Sequence, residues 1–172
     1  MRRLQDIETP ALAVDLASFH YNMETMTAER PGSSLRPHVK AFKSTAIASV
    51  LEENGHSSFC CATIREIEGM IEAGHKSDLL LANETLDASR LGSLVESGAR
   101  VTVAVDSEAT VKVAAEAGIK EVLIDVNVGL PRCGCSLSEV EDLATLAKRH
   151  RLGIRGVMGY EGHLMFTADK QE

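Results

Sequence analysis

At 172 residues, 44% hydrophobic and 25% charged, the chain is long enough for one domain with a packed core and has an ordinary globular composition. Its formal charge of -7 and isoelectric point near 5.4 argue against a broad nucleic-acid or anionic-membrane surface, since both need a positive field. No apolar run approaches the ~18–20 residues of a membrane helix, and MRRLQDIETP lacks the apolar stretch of a signal peptide, so a cytoplasmic protein is expected.

A short extended piece at 11–15 leads into a helical pattern at 16–29. LRPHVKAFKS (35–44) follows, with three cationic side chains and a histidine crowded into ten residues of an acidic chain. Further on, nearly continuous apolar runs recur, among them the leucine-rich DLLLAN (78–83) and, rich in β-branched residues, VTVAVD (101–106) and EVLIDVNV (121–128). Nearly continuous runs of this kind predict strands of a parallel sheet buried on both faces. Helical patterns lie between them at 44–54, 64–73, 87–97, 108–117 and 138–150. Gly55, Gly74, Gly98 and Gly118 follow four of these helices, where a left-handed cap is expected. Strand starts near residues 35, 57, 78, 100, 121 and 153 are mostly spaced by about 21–22 residues, which is one strand, one helix and two short loops. Cys60, Cys61, Cys133 and Cys135 lack the C-x2-4-C spacing of a structural zinc site and read as reduced thiols.

Such a repeat opens either a doubly wound open sheet or a (β/α)8 barrel. Each predicted strand delivers polar groups at its C-terminal end: Lys40, Thr63, Asn83, Asp106, Asn127 with Arg132, and Tyr160 with His163. In an open sheet a crevice forms mainly where strand order reverses, whereas in a barrel all strand ends converge on one mouth. That favours an α/β fold consisting of a partial TIM-type barrel with about six of its eight β/α units. Asn83 and Asp106 are also placed to cap the helices that follow.

Lys40 sits where the first run ends, and Arg36 and His38 alternate with it, so all three are expected on one face. Spacing alone leaves two readings: a strand-end lysine reaching solvent, or an amine poised to form an imine. Neighbouring Arg36, His38 and Lys43 would lower its proton affinity by like-charge repulsion. Lys43, three residues on, reads as a loop contact or cap.

TPALAVDL, LRPHVKAFKS, DVNVGLPRCG and GVMGYEGH, in this order, resemble the barrel domain of fold type III pyridoxal-phosphate enzymes. The similarity is greatest to the D-threonine aldolase and D-serine dehydratase group and more distant to alanine racemase; it runs from about Thr9 to the chain's end. The resemblance implies that Lys40 carries pyridoxal 5'-phosphate as an imine, with Arg36, His38 and Asn127 beside the cofactor. It implies that Arg132 reaches the cofactor's phenolic oxygen or a substrate carboxylate, a task suited to a permanently charged two-donor fork. His163 resembles the histidine that packs on the ring or serves near the substrate Cα, and Tyr160 is placed to lend its hydroxyl or to pack. Many relatives carry histidine at the position of Phe42, so no proton transfer is assigned there.

For the full-length protein the resemblance implies a lyase acting on small D-amino acids, with cleavage of β-hydroxy substrates first. D-serine dehydration or amino-acid racemisation is the alternative, and a truncated non-catalytic pyridoxal-phosphate-binding fragment is another. A phosphate-binding sugar or nucleotide protein on a similar barrel is a third possibility. Residues 1–172 then form an incomplete N-terminal barrel domain. The family's C-terminal β domain, with the divalent-metal ligands and the contacts of a homodimer, lies outside this chain. Alone, the 172 residues are expected to be inactive and to self-associate through open edges.

Overall fold

The computed structural model describes residues 4–167. Helix α1 (Leu16–Glu29) starts at Asp15, whose side chain accepts from the Ser18 amide at 2.7 Å. Helix α2 (Thr45–Glu53) precedes strand β1 (Phe59–Cys61), and four further units follow. They are α3 (Ile64–Glu72) with β2 (Leu79–Leu81), α4 (Ala88–Glu96) with β3 (Val101–Val105), α5 (Glu108–Glu116) with β4 (Glu121–Asp125), and α6 (Val140–Arg149) with β5 (Gly153–Met158). The five strands form one parallel sheet in the order β1-β2-β3-β4-β5. Chain order equals spatial order, as in a barrel wall; a doubly wound sheet would reverse direction at some strand. The chain has the α/β fold of a partial barrel.

Strands β2 and β3 are buried at every residue because helices cover one face and the barrel interior the other. Core side chains such as Phe59, Ile67, Met70, Leu79, Leu91, Val111 and Ile124 fill the space between sheet and helices. The helices fall within one or two residues of expectation, and Gly55, Gly74, Gly98 and Gly118 all take positive φ.

The first expected strand is the main correction. Residues 35–40 contribute only a bridge between His38 and Cys60, with the Cys60 amide donating to the Pro37 carbonyl at 2.9 Å. Pro37 has no N–H to offer a neighbour, and among the described residues no strand lies on its outer side. The chain turns instead into a 3-10 segment at Val39–Ala41. The expected caps also differ. Asp87 and Ser107 cap α4 and α5, while Asn83 donates to the Ala62 carbonyl and Asp106 accepts from the Gly134 amide.

Pairing between β4 and β5 skips Arg155: Val122 faces Ile154, and Leu123 faces Gly156. This bulge re-aims the Arg155 side chain. It donates to Thr102 Oγ1 at 2.9 Å and to both carboxylate oxygens of Asp78, at 2.7 and 3.0 Å. Arg36 reaches the same carboxylate at 2.7 Å. Asp78 just precedes β2, so this cluster lies at the N-terminal ends of the strands. Burial opposes its charge, but hydrogen bonds from Arg155 and Arg36 prevail and hold the Asp78 carboxyl down at about 2.

Candidate active site at the strand C-termini

At the opposite end of the sheet, residues 126–135 form a loop that closes on the end of β4. The Cys135 amide donates to the Asp125 carbonyl, and the Asn127 amide to the Cys135 carbonyl, both at 2.9 Å. Gly134 makes the closure possible: at φ +93° a Cβ would stand 2.6 Å from the Asn127 nitrogen, so a side chain has no room. Asn127 Oδ1 accepts from the Gly129 amide at 2.9 Å. Arg132 is carried at the tip, with its guanidinium carbon 4.9 Å from the centre of the Tyr160 ring.

Tyr160 follows β5 and is the hub of the site. Its hydroxyl donates to Met165 Sδ at 3.3 Å, and Lys40 Nζ lies 5.7 Å from its ring centre. Both cations therefore lie within cation–π range of one ring. His163 packs on Gly129, where a Cβ would come within 2.9 Å of the imidazole.

The two lysines of LRPHVKAFKS differ in partner. Lys43 Nζ meets Glu66 Oε1 at 2.6 Å, while Lys40 Nζ makes no ion pair among the described residues. Lys43 also has a φ of 44°, which turns its side chain away from the run that precedes it. His38 Nδ1 accepts from the Lys40 backbone amide at 3.3 Å. Burial first, then the Lys40 charge, lowers the His38 proton affinity, so its ring is neutral at neutral pH.

Lys40, Arg132 and Tyr160 are thus brought together, with Asn127 and His163 on the same loops. Arg36 is not with them. Its guanidinium serves Asp78 at the far end, so the charges expected to crowd Lys40 are largely committed elsewhere: Arg36 to Asp78 and Lys43 to Glu66. Phe42 packs against the core.

Sequence reasoning missed what lies under Arg132. The donor atoms of Glu84, Asp125 and Cys133 lie within 4.8 Å of one another. Cys133 donates its thiol proton to Asp125 Oδ2 at 3.3 Å. Burial chiefly raises the Cys133 thiol's pKa, with Arg132 opposing and Asp125 reinforcing the shift. The available signal was a carboxylate ending each of two buried runs: Glu84 after DLLLAN, and Asp125 inside EVLIDVNV. The groove bounded by Asn127, Arg132, Cys133 and Tyr160 holds only about 10 Å³, so a ligand would lie across the open mouth above it.

The alanine racemase N-terminal domain family matches residues 14–172. The chain is 29% identical over 182 aligned residues to D-threonine aldolase of Arthrobacter sp., covering 98% of this chain and 47% of that protein. It is 28% identical to D-threo-3-hydroxyaspartate dehydratase of Delftia sp. HT23, covering 92% of this chain and 45% of the relative. The crystal structure of D-threonine aldolase from Filomicrobium marinum superposes with a TM-score of 0.81 at 32% identity, over 93% of this chain and 46% of that one. Alanine racemase from Corynebacterium glutamicum shares the fold, at 19% identity and a TM-score of 0.73 over 87% of this chain and 46% of that one. The chain spans about half the length of the curated relatives it matches.

Proposed function

Since the chain belongs to the alanine racemase N-terminal domain family, we propose that it is the pyridoxal-phosphate barrel portion of a lyase that cleaves β-hydroxy D-amino acids. One observation carries the reading. Lys40 presents an amine without an ion pair among the described residues, near the same Tyr160 ring as Arg132, while Lys43 is tied to Glu66.

The residues present fit such a group: an amine for attachment, a guanidinium for an oxyanion, and an aromatic ring within reach of both. Pyridoxal phosphate, when bound, supplies the electron sink for a carbanion at the substrate Cα. Lys40 Nζ would hold the cofactor, and as a free amine it would serve as a base at the mouth. Arg132 holds an anionic oxygen through charge-assisted hydrogen bonds that an uncharged donor would make less strongly. Tyr160 keeps both cations in register through its ring. His163, fixed against Gly129, is the candidate to hold a proton near the substrate Cα, and Asn127 fixes the backbone of the loop that carries Arg132. Neutral His38 orders the Lys40 backbone; Arg36 has a structural part at the far end.

Divalent metal, where the aldolase and dehydratase reading requires it, would be held by residues outside this chain, as would the rest of a homodimer's sites. The Delftia relative is named a dehydratase of D-threo-3-hydroxyaspartate, which keeps dehydration of a β-hydroxy D-amino acid, D-serine among the candidates, as a second reading. No helix among the described residues is long and apolar enough to cross a membrane.

The test is absorbance titration of the chain with pyridoxal phosphate beside Lys40→Ala, followed by assays of D-threonine, D-allo-threonine and D-serine with and without chelator. We expect a cofactor-lysine band that the variant lacks. We expect no turnover from residues 1–172, and chelator-sensitive turnover of β-hydroxy D-amino acids once the further residues of the relatives are supplied. Alanine racemisation without metal dependence would overturn the substrate class.

A further inference from the structure

Three groups that the proposed chemistry does not use meet beneath the Arg132 loop, and each comes from a different element. Glu84 follows β2, Asp125 ends β4, and Cys133 belongs to the loop itself. Asp106, following β3, adds a further carboxylate, with Oδ2 accepting from the Gly134 amide at 3.2 Å. Asp125 is only 4% exposed, and its Oδ2 already accepts the Cys133 thiol. Glu84 Oε1 is fully buried and has no hydrogen-bond partner.

These facts constrain the protons. A buried carboxylate oxygen with no donor is costly, whereas the same oxygen in a neutral acid is tolerated. Two carboxylates at this separation, with a third behind them, cannot all hold charge cheaply. Asp125 Oδ2 already has a donor in the Cys133 thiol, whereas Glu84 Oε1 has none. Glu84 is left as the group that keeps its proton, and burial first, then Asp125 and Asp106, pushes its carboxyl above the ordinary glutamate range. The charged groups facing it are Asp125, Asp106 and, across Cys133, Arg132.

We propose that Glu84 is a positioning residue for Arg132: as a neutral acid it donates to Asp125, so that one negative charge lies under the loop cation. Loss of that proton at higher pH places a second charge there and draws the Arg132 side chain off the Tyr160 ring toward the floor. The consequence for ligand binding rests on the reading of Arg132 as the mouth's anion holder. The proton arrangement does not.

The test uses the 172-residue chain with carbon-13 carboxyl and nitrogen-15 arginine labels, titrated by NMR without cofactor. The Glu84 carboxyl is expected to titrate above the ordinary glutamate range, and the Arg132 Nε–H resonance to shift along the same curve. Glu84→Gln keeps a donor toward Asp125; both transitions should vanish while Arg132 stays at its low-pH position. Asp125→Asn should return the Glu84 titration toward the ordinary range. A Glu84 that titrates ordinarily, or an Arg132 resonance indifferent to it, would overturn the proposal. A chain that fails to bind pyridoxal phosphate yet shows the coupled titration would instead count against the proposed function alone.

Discussion

Replacing Asp78 with asparagine should cost the fold about 2 kcal/mol at neutral pH, and the cost should fade in acid. The carboxylate takes charge-assisted bonds from Arg36 at 2.7 Å and from Arg155 at 2.7 and 3.0 Å, tying residues 42 positions before and 77 positions after it. Displacement of its pKa from 3.8 to about 2 corresponds to at most about 2.4 kcal/mol of folding free energy. The side chain is 17% exposed, and screening reduces that contribution to about 1–2 kcal/mol. Asparagine also leaves two guanidinium groups facing each other without a counter-charge, which restores the total to about 2 kcal/mol. Because the folded pKa is depressed, the stabilisation is fully present above 3.8 and disappears as pH falls through about 2. Urea unfolding followed by circular dichroism across this range measures the difference between the two proteins. A difference that is flat with pH, or smaller than a few tenths of a kcal/mol at neutral pH, would refute the clamp.

Gly134→Ala should destabilise the chain by about 2 kcal/mol or more and abolish the Arg132–Tyr160 contact, because the φ of +93° and the 2.6 Å approach to Asn127 leave no room for a methyl group. Thermal unfolding and tyrosine fluorescence report the two effects. Lys43→Gln should cost under about 1 kcal/mol, since its ion pair with Glu66 is largely solvated on the lysine side, and should leave cofactor attachment intact. Strand β5 has a sheet edge unpaired among the described residues, with Val157, Leu137 and Phe166 exposed nearby, so residues 1–172 should self-associate and Val157→Lys should shift light scattering toward monomer.

Strands β2 to β4 were legible because nearly continuous apolar runs identify largely buried parallel strands, and the helices because glycines punctuate them. Residues 35–40 alternate apolar and polar side chains yet form one bridge, since pairing depends on a second strand that no local pattern reports. Alternation placed Arg36 and Lys40 on one face but said nothing of height. Arg36 precedes the single bridge at His38 and bonds Asp78, whereas Lys40 lies past the turn into the 3-10 segment at Val39–Ala41 and reaches the Tyr160 ring at the mouth. Arg132, Tyr160 and Asn127 were legible as polar residues following strands, whereas Lys40 reaches the same end from a 3-10 segment. The Glu84–Asp125 pairing was not, because contact between groups 41 positions apart is a product of the sheet's curvature.

The central claim is that Lys40 and not Lys43 bears the cofactor. Borohydride reduction of the protein loaded with pyridoxal phosphate, followed by proteolysis and peptide mass mapping, reads the attachment site directly. A pyridoxyl group on Lys40 alone, absent from Lys40→Ala and retained in Lys43→Gln, is the expected result. A pyridoxyl group on Lys43, or on neither lysine, would contradict the account.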